Sequence, residues 1–440
     1  MMLKRKMYER LLSWKKQPKK ECVLLKGARQ VGKTFLVREF GRKEYESFIE
    51  INFLEKPELK TAFAGEISAQ EIYKRLTANL PSIKLIPGKT LLFLDEIQAC
   101  SKARMALKFL SEDGTLDVIA SGSLLGLSYG RDDDDRVERV ESVPVGYEKS
   151  LMMYPLDFEE YLWANGFPDE TISYLKTYFS ERKPLSFDIL TKEENLLKEY
   201  LVVGGMPEVV SDFMKNHDFN RVQDIQEKIL SSYEDDIAFH AKGVEKTKVR
   251  KCFDSIPRQL AKENRKFKYS EVEHKSTARK YQDSVDWLRD ASLALVCENV
   301  SQPCLPLNVY EKENEFKVYF SDTGLLLAMY GFETKKALLN DTLKGFAKGG
   351  IYENFVAQSL LAKGYGLHYY KPDDDSKLEF LIEKDGEVRP IEVKAGNKAT
   401  VSLNRFLEKE KPQLVYKLAY ANLGYHEKKL TIPHFMVMFL

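Results

Sequence analysis

The stretch at residues 27–34, with the sequence GARQVGKT, constrains the fold of this chain more than any other feature. It matches the pattern G-x-x-x-x-G-K-[ST], in which glycines let backbone N–H groups close around a phosphate. Apolar residues at 22–25 precede it and predict a buried strand, while helix-periodic apolar residues follow at 35–40. A strand, a glycine-rich turn and a helix in this order predict an α/β domain with a phosphate-binding edge.

Each position of this stretch has a physical role in binding a triphosphate. Gly27 and Gly32 keep the backbone close to the phosphates, and the N-terminus of the following helix favours their negative charge. Lys33 is expected to lie in an exposed loop and to contact the outer phosphates, and Thr34 to hold Mg²⁺ through its hydroxyl. The pattern therefore predicts ATP and Mg²⁺ as cofactors. The alternative, a glycine turn without a ligand, leaves the flanking strand and helix unexplained.

A second element typical of such sites follows downstream. The apolar residues 90–94 predict a buried strand that ends in Asp95 and Glu96. Asp95 is expected to hold Mg²⁺ or its water shell, and Glu96 to act as the general base that polarises the attacking water. The alternative is the solvated start of a loop, but the presence of the phosphate-binding pattern favours the catalytic interpretation.

A third apolar strand is predicted at residues 116–120, immediately before two serines. Small hydroxyls at this position are well placed to sense the γ-phosphate, so Ser121 and Ser123 are included among the predicted nucleotide-binding residues. The alternative is an ordinary turn from a strand into a loop.

Composition limits the class of protein. The chain has 440 residues, which predicts more than one domain, and 43% of them are hydrophobic. Its five cysteines are scattered without C-x-x-C spacing, which argues against a disulfide framework or a zinc site. A net charge of +1 restricts any nucleic-acid contact to a local patch. Because no window approaches the ~18 apolar residues of a membrane span, we expect a cytoplasmic protein without a membrane partner.

Changes in sequence pattern along the chain predict four domains. Residues 1–155 alternate apolar strands with helices, which predicts a P-loop core on a parallel sheet. Residues 156–245 are mostly helical and predict a helical lid. Residues 246–335 predict a winged-helix-like domain, and residues 345–440 combine a helix with a hairpin and further strands. The expected fold class is therefore α/β, with a helical and winged-helix-like middle.

Basic residues are concentrated in the predicted winged-helix-like domain. Between Lys248 and Lys280 there are 11 Lys/Arg against 4 Asp/Glu, an excess of seven positive charges. Arg279 and Lys280 open an amphipathic helix in this segment and are predicted to contact the phosphates of double-stranded DNA. The alternative is a solvated basic face used for packing between domains, since a charge patch alone is unspecific.

Three carboxylates and one lysine mark the C-terminal region. Glu379 lies in one strand of a predicted hairpin, and Glu392 and Lys394 lie in the other. Because alternate residues of a strand share a face, Glu392 and Lys394 should point the same way. Glu379 and Glu392 are predicted to share a divalent metal, supported by Glu353 from a preceding helix, while Lys394 orients a water. The E-x-K pattern also occurs on ordinary surface strands, which leaves a structural role open.

Taken together, these motifs resemble a prokaryotic group of AAA-type ATPases whose C-terminal half is a domain of unknown function. The resemblance implies an ASCE-type P-loop core, a winged-helix-like middle and a C-terminal fold like that of restriction endonucleases, the PD-(D/E)xK group. The chain departs from that group at Glu379, where aspartate is usual, and the candidates for an arginine finger are Arg104, Arg131 and Arg136. The matching stretches are GARQVGKT at 27–34, LDEIQ at 94–98, SGSLLG at 121–126, MYPLDFEEYL at 153–162, GGMPE at 204–208, FSDTGLL at 320–326 and PIEVKAG at 390–396.

Three functions are compatible with this sequence. The first is an ATP-dependent switch or motor that acts on DNA and carries a nuclease-like C-terminal domain. The second is a signalling ATPase whose C-terminal domain is an inactive protein-binding module, and the third is a metal-dependent DNase gated by ATP. The expected partners are ATP, double-stranded DNA, and either further copies of this chain or a partner protein.

Overall fold

The computed structural model describes residues 3–123, 146–241, 244–373, 376–396 and 400–440. The chain divides into two compact units, one of Lys4–Tyr154 with Asp290–Ser292, and one of Pro155–Arg289 with Leu293–Leu440. Each unit is built on its own sheet with helices packed against it. The predicted α/β class is therefore confirmed.

The first unit alternates strands and helices along the sequence. A short 3₁₀ segment, Pro57–Phe63, lies between the second strand and the third helix, and another, Ile97–Ala99, follows the third strand. The regular elements are α1 (Lys6–Lys15), β1 (Cys22–Gly27), α2 (Lys33–Glu44), β2 (Ser47–Asn52), α3 (Ala69–Asn79), β3 (Thr90–Asp95), α4 (Ser101–Asp113), β4 (Asp117–Ser123) and β5 (Glu148–Met152).

The strands of this unit form one parallel sheet in the order β2-β3-β4-β1-β5. Strand β4 lies between β1 and β3, so the strand before the phosphate-binding turn and the strand before Asp95 are not neighbours. Parallel pairing puts the carboxyl ends of all strands at one edge, where ligands of open α/β sheets bind. At that edge Gly27 pairs with Ser123, and Asn52 pairs with Asp95.

Apolar side chains cover both faces of this sheet. Alternate residues of β1 enter different clusters: Val23 packs in the same cluster as Trp14 and Phe40, whereas Leu24 packs in the same cluster as Leu107. Strands buried on both faces are typical of parallel sheets, because crossover helices cover each side. Helix α1 buries an apolar stripe, formed by Met7, Leu11 and Trp14, in the first cluster.

The second unit begins with helices and continues into a large mixed sheet. Its helices are α5 (Phe158–Ala164), α6 (Asp169–Glu181), α7 (Phe187–Val203), α8 (Pro207–Asn216), α9 (Phe219–His240), α10 (Val244–Leu260), α11 (Tyr269–Val272), α12 (Ala278–Asp290), α13 (Thr323–Tyr330), α14 (Phe332–Leu339), α15 (Phe346–Ala362) and α16 (Val401–Glu410). Its strands are β6 (Ala294–Val300), β7 (Glu311–Phe320), β8 (His368–Tyr370), β9 (Leu378–Lys384), β10 (Glu387–Val393), β11 (Val415–Leu418), β12 (Gly424–His426) and β13 (Lys429–Ile432).

The sheet of this unit joins two segments that the sequence analysis separated. Its order is β12-β13-β11-β10-β9-β8-β6-β7. Strands β6 and β7 come from the predicted winged-helix-like segment, and β6 pairs in parallel with β8 from the C-terminal segment. Helices α10 to α12 followed by the β6–β7 hairpin have the element order expected of a winged helix, but the hairpin is part of the larger sheet. A boundary between 335 and 345 therefore does not separate two folding units.

No helix within the described ranges is both long enough and apolar enough to cross a membrane.

Candidate functional site

The phosphate-binding stretch leaves β1 and turns sharply into α2. Gln30 and Gly32 have positive φ angles of 64° and 91°, and Gly32 caps the N-terminus of the helix. A Cβ atom on Gly27 would lie 2.3 Å from the carbonyl oxygen of Met153, so only glycine fits there. The turn is thus built from two left-handed residues, Gln30 and Gly32, and from a close backbone approach at Gly27 that only glycine allows.

Lys33 lies at the start of α2 with its ammonium group turned inward. Its Nζ donates to the carbonyl oxygens of Gly27 at 3.1 Å and Ala28 at 2.7 Å. The residue is only 8% exposed, so the expectation of an exposed loop position was wrong: the turn folds over its side chain. Burial lowers its pKa to about 8, although the carboxylates of Glu96 and Asp95 oppose the shift.

Asp95 is the centre of a buried hydrogen-bond network at the end of β3. Its carboxylate accepts hydrogen bonds from the Thr34 hydroxyl at 3.0 and 3.2 Å, from the Ser121 hydroxyl, and from the Asn52 amide at 3.1 Å. Asp95 itself is 2% exposed. Several donors fix the orientation of this carboxylate, which therefore needs no rearrangement to face Thr34.

The Thr34–Asp95 pair fits a Mg²⁺ ion. A hydroxyl and a carboxylate from two elements are the oxygen donors that Mg²⁺ takes from a P-loop site, with water and phosphate oxygens as its remaining ligands. Within the described residues, no group of three His, Cys, Asp or Glu side chains is arranged to hold a metal by itself.

Glu96 follows Asp95 in a left-handed conformation, with φ 53° and ψ 46°. Such a conformation in a residue other than glycine costs about 1–3 kcal/mol and is often found at functional sites. The side-chain amide of Gln98 donates a hydrogen bond to its Oε2. The carboxylate is therefore oriented by its neighbour two residues on.

Two residues of this site were missed by the sequence analysis. Asn52 is the last residue of β2 and pairs with Asp95 of the parallel strand β3. Aligning the two predicted strands in parallel would have identified it. Arg5 is 7% exposed and donates to the carbonyl oxygens of Val31 at 3.0 Å and Tyr154 at 2.6 Å. It tethers the phosphate-binding turn to the segment after β5, a contact between sequence-distant residues that no local pattern indicates.

The remaining predicted residues of the first unit occupy several positions. Ser121 is fully buried, and its hydroxyl donates a hydrogen bond to Asp95, whereas the sequence predicted a direct contact with the γ-phosphate. Ser123 pairs through its backbone with Gly27. Arg104 lies 3.6 Å from Glu148, and Glu148 pairs with Cys22, the first residue of β1. Arg104 is therefore near the end of β1 that lies opposite Gly27. The other arginine-finger candidates, Arg131 and Arg136, lie outside the described residues.

In the second unit, Glu353 lies on α15 and is enclosed by cations. Arg265 is 2.8 Å and Lys317 3.4 Å from its carboxylate, and the Tyr319 hydroxyl donates to it at 3.0 Å. Lys377 approaches to 3.8 Å. Burial favours the neutral acid, but these cations prevail and hold the pKa of Glu353 well below its usual range.

Glu379, Glu392 and Lys394 meet at the neighbouring end of the β9–β10 hairpin. The Val393 N–H donates to Glu379 at 3.1 Å, and the Lys394 ammonium lies 2.9 Å from Glu392. Lys377 bridges the cluster, 3.7 Å from Glu379. Burial and the charge of Glu379 raise the pKa of Glu392, against the opposing effect of Lys394.

This cluster is compensated by the protein's own cations. Its three carboxylates face four positive side chains, those of Arg265, Lys317, Lys377 and Lys394. The charge of these carboxylates is thus offset without a metal ion, and no group of three His, Cys, Asp or Glu side chains among the described residues is arranged to hold one.

Arg279 and Lys280 are exposed on the first turn of α12. Lys280 forms an ion pair with Glu273, which also contacts Lys251 at 2.8 Å and accepts from Tyr281 at 3.1 Å. These hydrogen bonds lower the pKa of Glu273 to about 2. Part of the positive excess of this segment is thus neutralised within the protein.

The geometry of the first unit agrees with a comparison with protein families. Residues 19–162 match the family model described as AAA domain. Over these residues the chain is similar to AAA domains. Residues 194–336 and 348–433 match two further models, each described as a domain of unknown function, DUF8612 and DUF4143.

Three solved structures are similar to this chain over more than half of its length. A Walker-type ATPase of Pyrococcus abyssi is 14% identical, with 75% of this chain and 96% of that chain covered and a TM-score of 0.46. The ORC1 protein of Aeropyrum pernix in complex with DNA is 14% identical, with 77% of this chain and 93% of that chain covered and a TM-score of 0.27. AMPPCP-bound DnaA from Aquifex aeolicus is 12% identical, with 64% of this chain and 86% of that chain covered and a TM-score of 0.28. These low TM-scores carry no argument about function. No curated protein matched the chain.

Proposed function

We propose that this protein binds ATP with Mg²⁺, hydrolyses it, and uses the cycle as a molecular switch or motor. The observation that carries the proposal is the contact between Thr34 and Asp95 at 3.0 Å, beside the inward-turned ammonium group of Lys33. These are the three side chains that a P-loop ATPase needs to hold a metal–triphosphate complex.

Each residue has a defined part in the proposed reaction. Lys33 leaves the carbonyl oxygens of the turn and binds the outer phosphates, while the backbone N–H groups at the start of α2 surround them. Thr34 and Asp95 would hold Mg²⁺, and the ion would neutralise charge on the phosphate oxygens. Glu96 accepts a proton from the attacking water, and Gln98 keeps its carboxylate in place for that step.

Thr34→Val tests the metal-binding half of this proposal. Valine keeps the shape of threonine and removes the hydroxyl, so the hydrolysis rate should fall by about tenfold, equivalent to ~1.4 kcal/mol on the barrier. Nucleotide binding in EDTA should be unchanged, which calorimetry can measure. Thr77→Val is the matched control, because the Thr77 hydroxyl only donates to a carbonyl within its own helix at 2.6 Å. An unchanged Mg²⁺ dependence in Thr34→Val would show that the metal is held elsewhere.

A DNA target is the second part of the proposal. Exposed basic residues in the three-helix segment, namely Lys268, Lys275 and Arg279, support it. Helix α12 and the β6–β7 hairpin follow one another as recognition helix and wing do in winged-helix proteins. The cation-compensated C-terminal cluster favours a module without metal chemistry over an ATP-gated DNase.

Reversing two charges tests the DNA contact. In Arg279→Glu/Lys280→Glu, the log–log salt slope of binding to double-stranded DNA should flatten by roughly one unit per lost phosphate contact. Most of the change should come from Arg279, because Lys280 already contacts Glu273. Lys176→Glu/Lys183→Glu, on and beside α6, changes the charge equally and serves as the control. Equal salt slopes in both double variants would show that Arg279 and Lys280 do not contact DNA and that the basic segment only packs against other parts of the protein.

A further inference from the structure

We propose that a cleft between α12 and the β6–β7 hairpin binds an organic cation, an alkylammonium or guanidinium group. The cleft has a volume of about 480 Å³, within the range of small-molecule sites. Its polar lining includes Asp286 from the helix and Glu298, Glu311 and Glu313 from the hairpin. This inference does not depend on the ATPase proposal.

The lining carries an excess of negative charge. Four carboxylates face two cations, Arg289 and Lys312, which leaves a formal charge of −2. Arg289 already contacts Asp286 at 2.9 Å, and Lys312 lies 3.9 Å from Glu315. Glu311 contacts His368 at 2.8 Å. The cleft therefore attracts a cation. It is lined by the part of α12 from Gln282 to Arg289, whereas Arg279 lies on the first turn of that helix.

The spacing of these carboxylates selects an extended cation over a metal ion. No group of three acidic, histidine or cysteine side chains in the described part of the chain is close enough to coordinate one metal. A charged amine or guanidinium is larger and can contact separated carboxylates through several N–H donors. The hydrophobic portion of such a ligand would lie against Val285, Val296 and Phe316, which also line the cleft.

Glu298 is a carboxyl group of the lining whose ionisation is disfavoured by its surroundings. It is half-buried on β6, and its pKa is raised to about 7 by burial and by the charges of Glu311 and Asp286, against Arg289. A bound cation would offset this repulsion and favour the ionised carboxylate.

Tyr269 is a second and independent sign of a ligand. It lines the cleft and is 8% exposed, and its hydroxyl has no hydrogen-bond partner among the described residues. Buried hydroxyls are ordinarily paired, and this oxygen can accept a hydrogen bond from an ammonium or guanidinium group. The rings of Tyr269 and Phe316 lie 6.1 Å apart at a steep angle, so the cleft also offers aromatic surface to a cation.

The cation can come from a free polyamine or from a lysine or arginine side chain of a protein segment. Calorimetric titration of the full chain with spermidine tests the first source. Titration with blocked lysine and arginine peptides tests the second. Saturable binding of any of these probes, weakened by salt, is the expected result.

Variants of the lining locate the binding. Glu298→Gln keeps the shape and removes the charge, so the dissociation constant should rise by about tenfold or more. Tyr269→Phe should weaken binding by a smaller factor, and Glu333→Gln, an exposed carboxylate on α14, should bind as wild type. Melting curves confirm that each variant is folded, and Lys33→Ala should bind the probes normally even if ATP binding is lost. If no probe saturates, or if Glu298→Gln and Tyr269→Phe bind as tightly as Glu333→Gln, the proposal is overturned.

Discussion

Lys33→Ala should lose ATP binding in a calorimetric titration while the protein keeps its fold. The ammonium group is buried and donates hydrogen bonds to the carbonyl oxygens of its own turn, at 2.7 and 3.1 Å, and the carboxylates of Glu96 and Asp95 only partly offset the cost of burying its charge. The triphosphate supplies further negative charge, so binding adds favourable electrostatic energy at Lys33. Alanine removes it and leaves the helix start intact, since alanine has the highest helix propensity.

The control and the pH dependence sharpen this test. Lys102→Ala, an exposed lysine on α4, should bind ATP as wild type does. Burial lowers the pKa of Lys33 to about 8 in the protein without nucleotide. Binding needs the protonated form, so wild-type affinity should be constant below pH 8 and fall above it, by up to about tenfold per pH unit. ATP binding by Lys33→Ala at wild-type affinity would refute the site assignment.

Glu96→Gln should bind Mg-ATP and hydrolyse it about 10²-fold or more slowly than wild type. Glutamine keeps the size of the side chain and can still contact Gln98, but it cannot accept the proton of the attacking water. Binding should survive because Thr34, Asp95 and Lys33 are unchanged. The measurements are single-turnover hydrolysis and the dissociation constant of Mg-ATP.

Glu58→Gln provides the matched control for this substitution. It removes an exposed carboxylate in the 3₁₀ segment after β2 and should leave turnover unchanged. If Glu96→Gln instead loses ATP binding at full stability, the residue has a role in binding and the general base must be sought elsewhere. A wild-type rate in Glu96→Gln would exclude it as the base.

Local features of the chain were predictable from the sequence. The turn at residues 27–34 requires glycine conformations that few other residues adopt, and the apolar runs before it and before Asp95 have the length of buried strands. The hairpin that carries Glu379 and Glu392 was predicted in the same way, from alternating residues and a turn with Gly386. These signals come from interactions between residues that are close in sequence.

The surroundings of the functional side chains were decided by the tertiary structure. Arg265 contacts Glu353 although the two residues are 88 positions apart in the sequence, and Lys317 contacts it from 36 positions away. These cations neutralise the carboxylates at the position where the sequence predicted a metal site. Similarly, pairing between β2 and β3 brought Asn52 to Asp95, and the fold of the turn buried Lys33.

Local sequence patterns thus predicted the α/β class, the phosphate-binding turn and the carboxylates after β3. Long-range packing, by contrast, sets the pairing of β6 with β8, the contact of Arg5 with the turn, and the cations that accompany each carboxylate. The two groups of features differ because the forces behind them act over different ranges. Backbone conformation and hydrophobic periodicity act over a few residues, whereas burial, charge compensation and strand pairing depend on which distant segments meet.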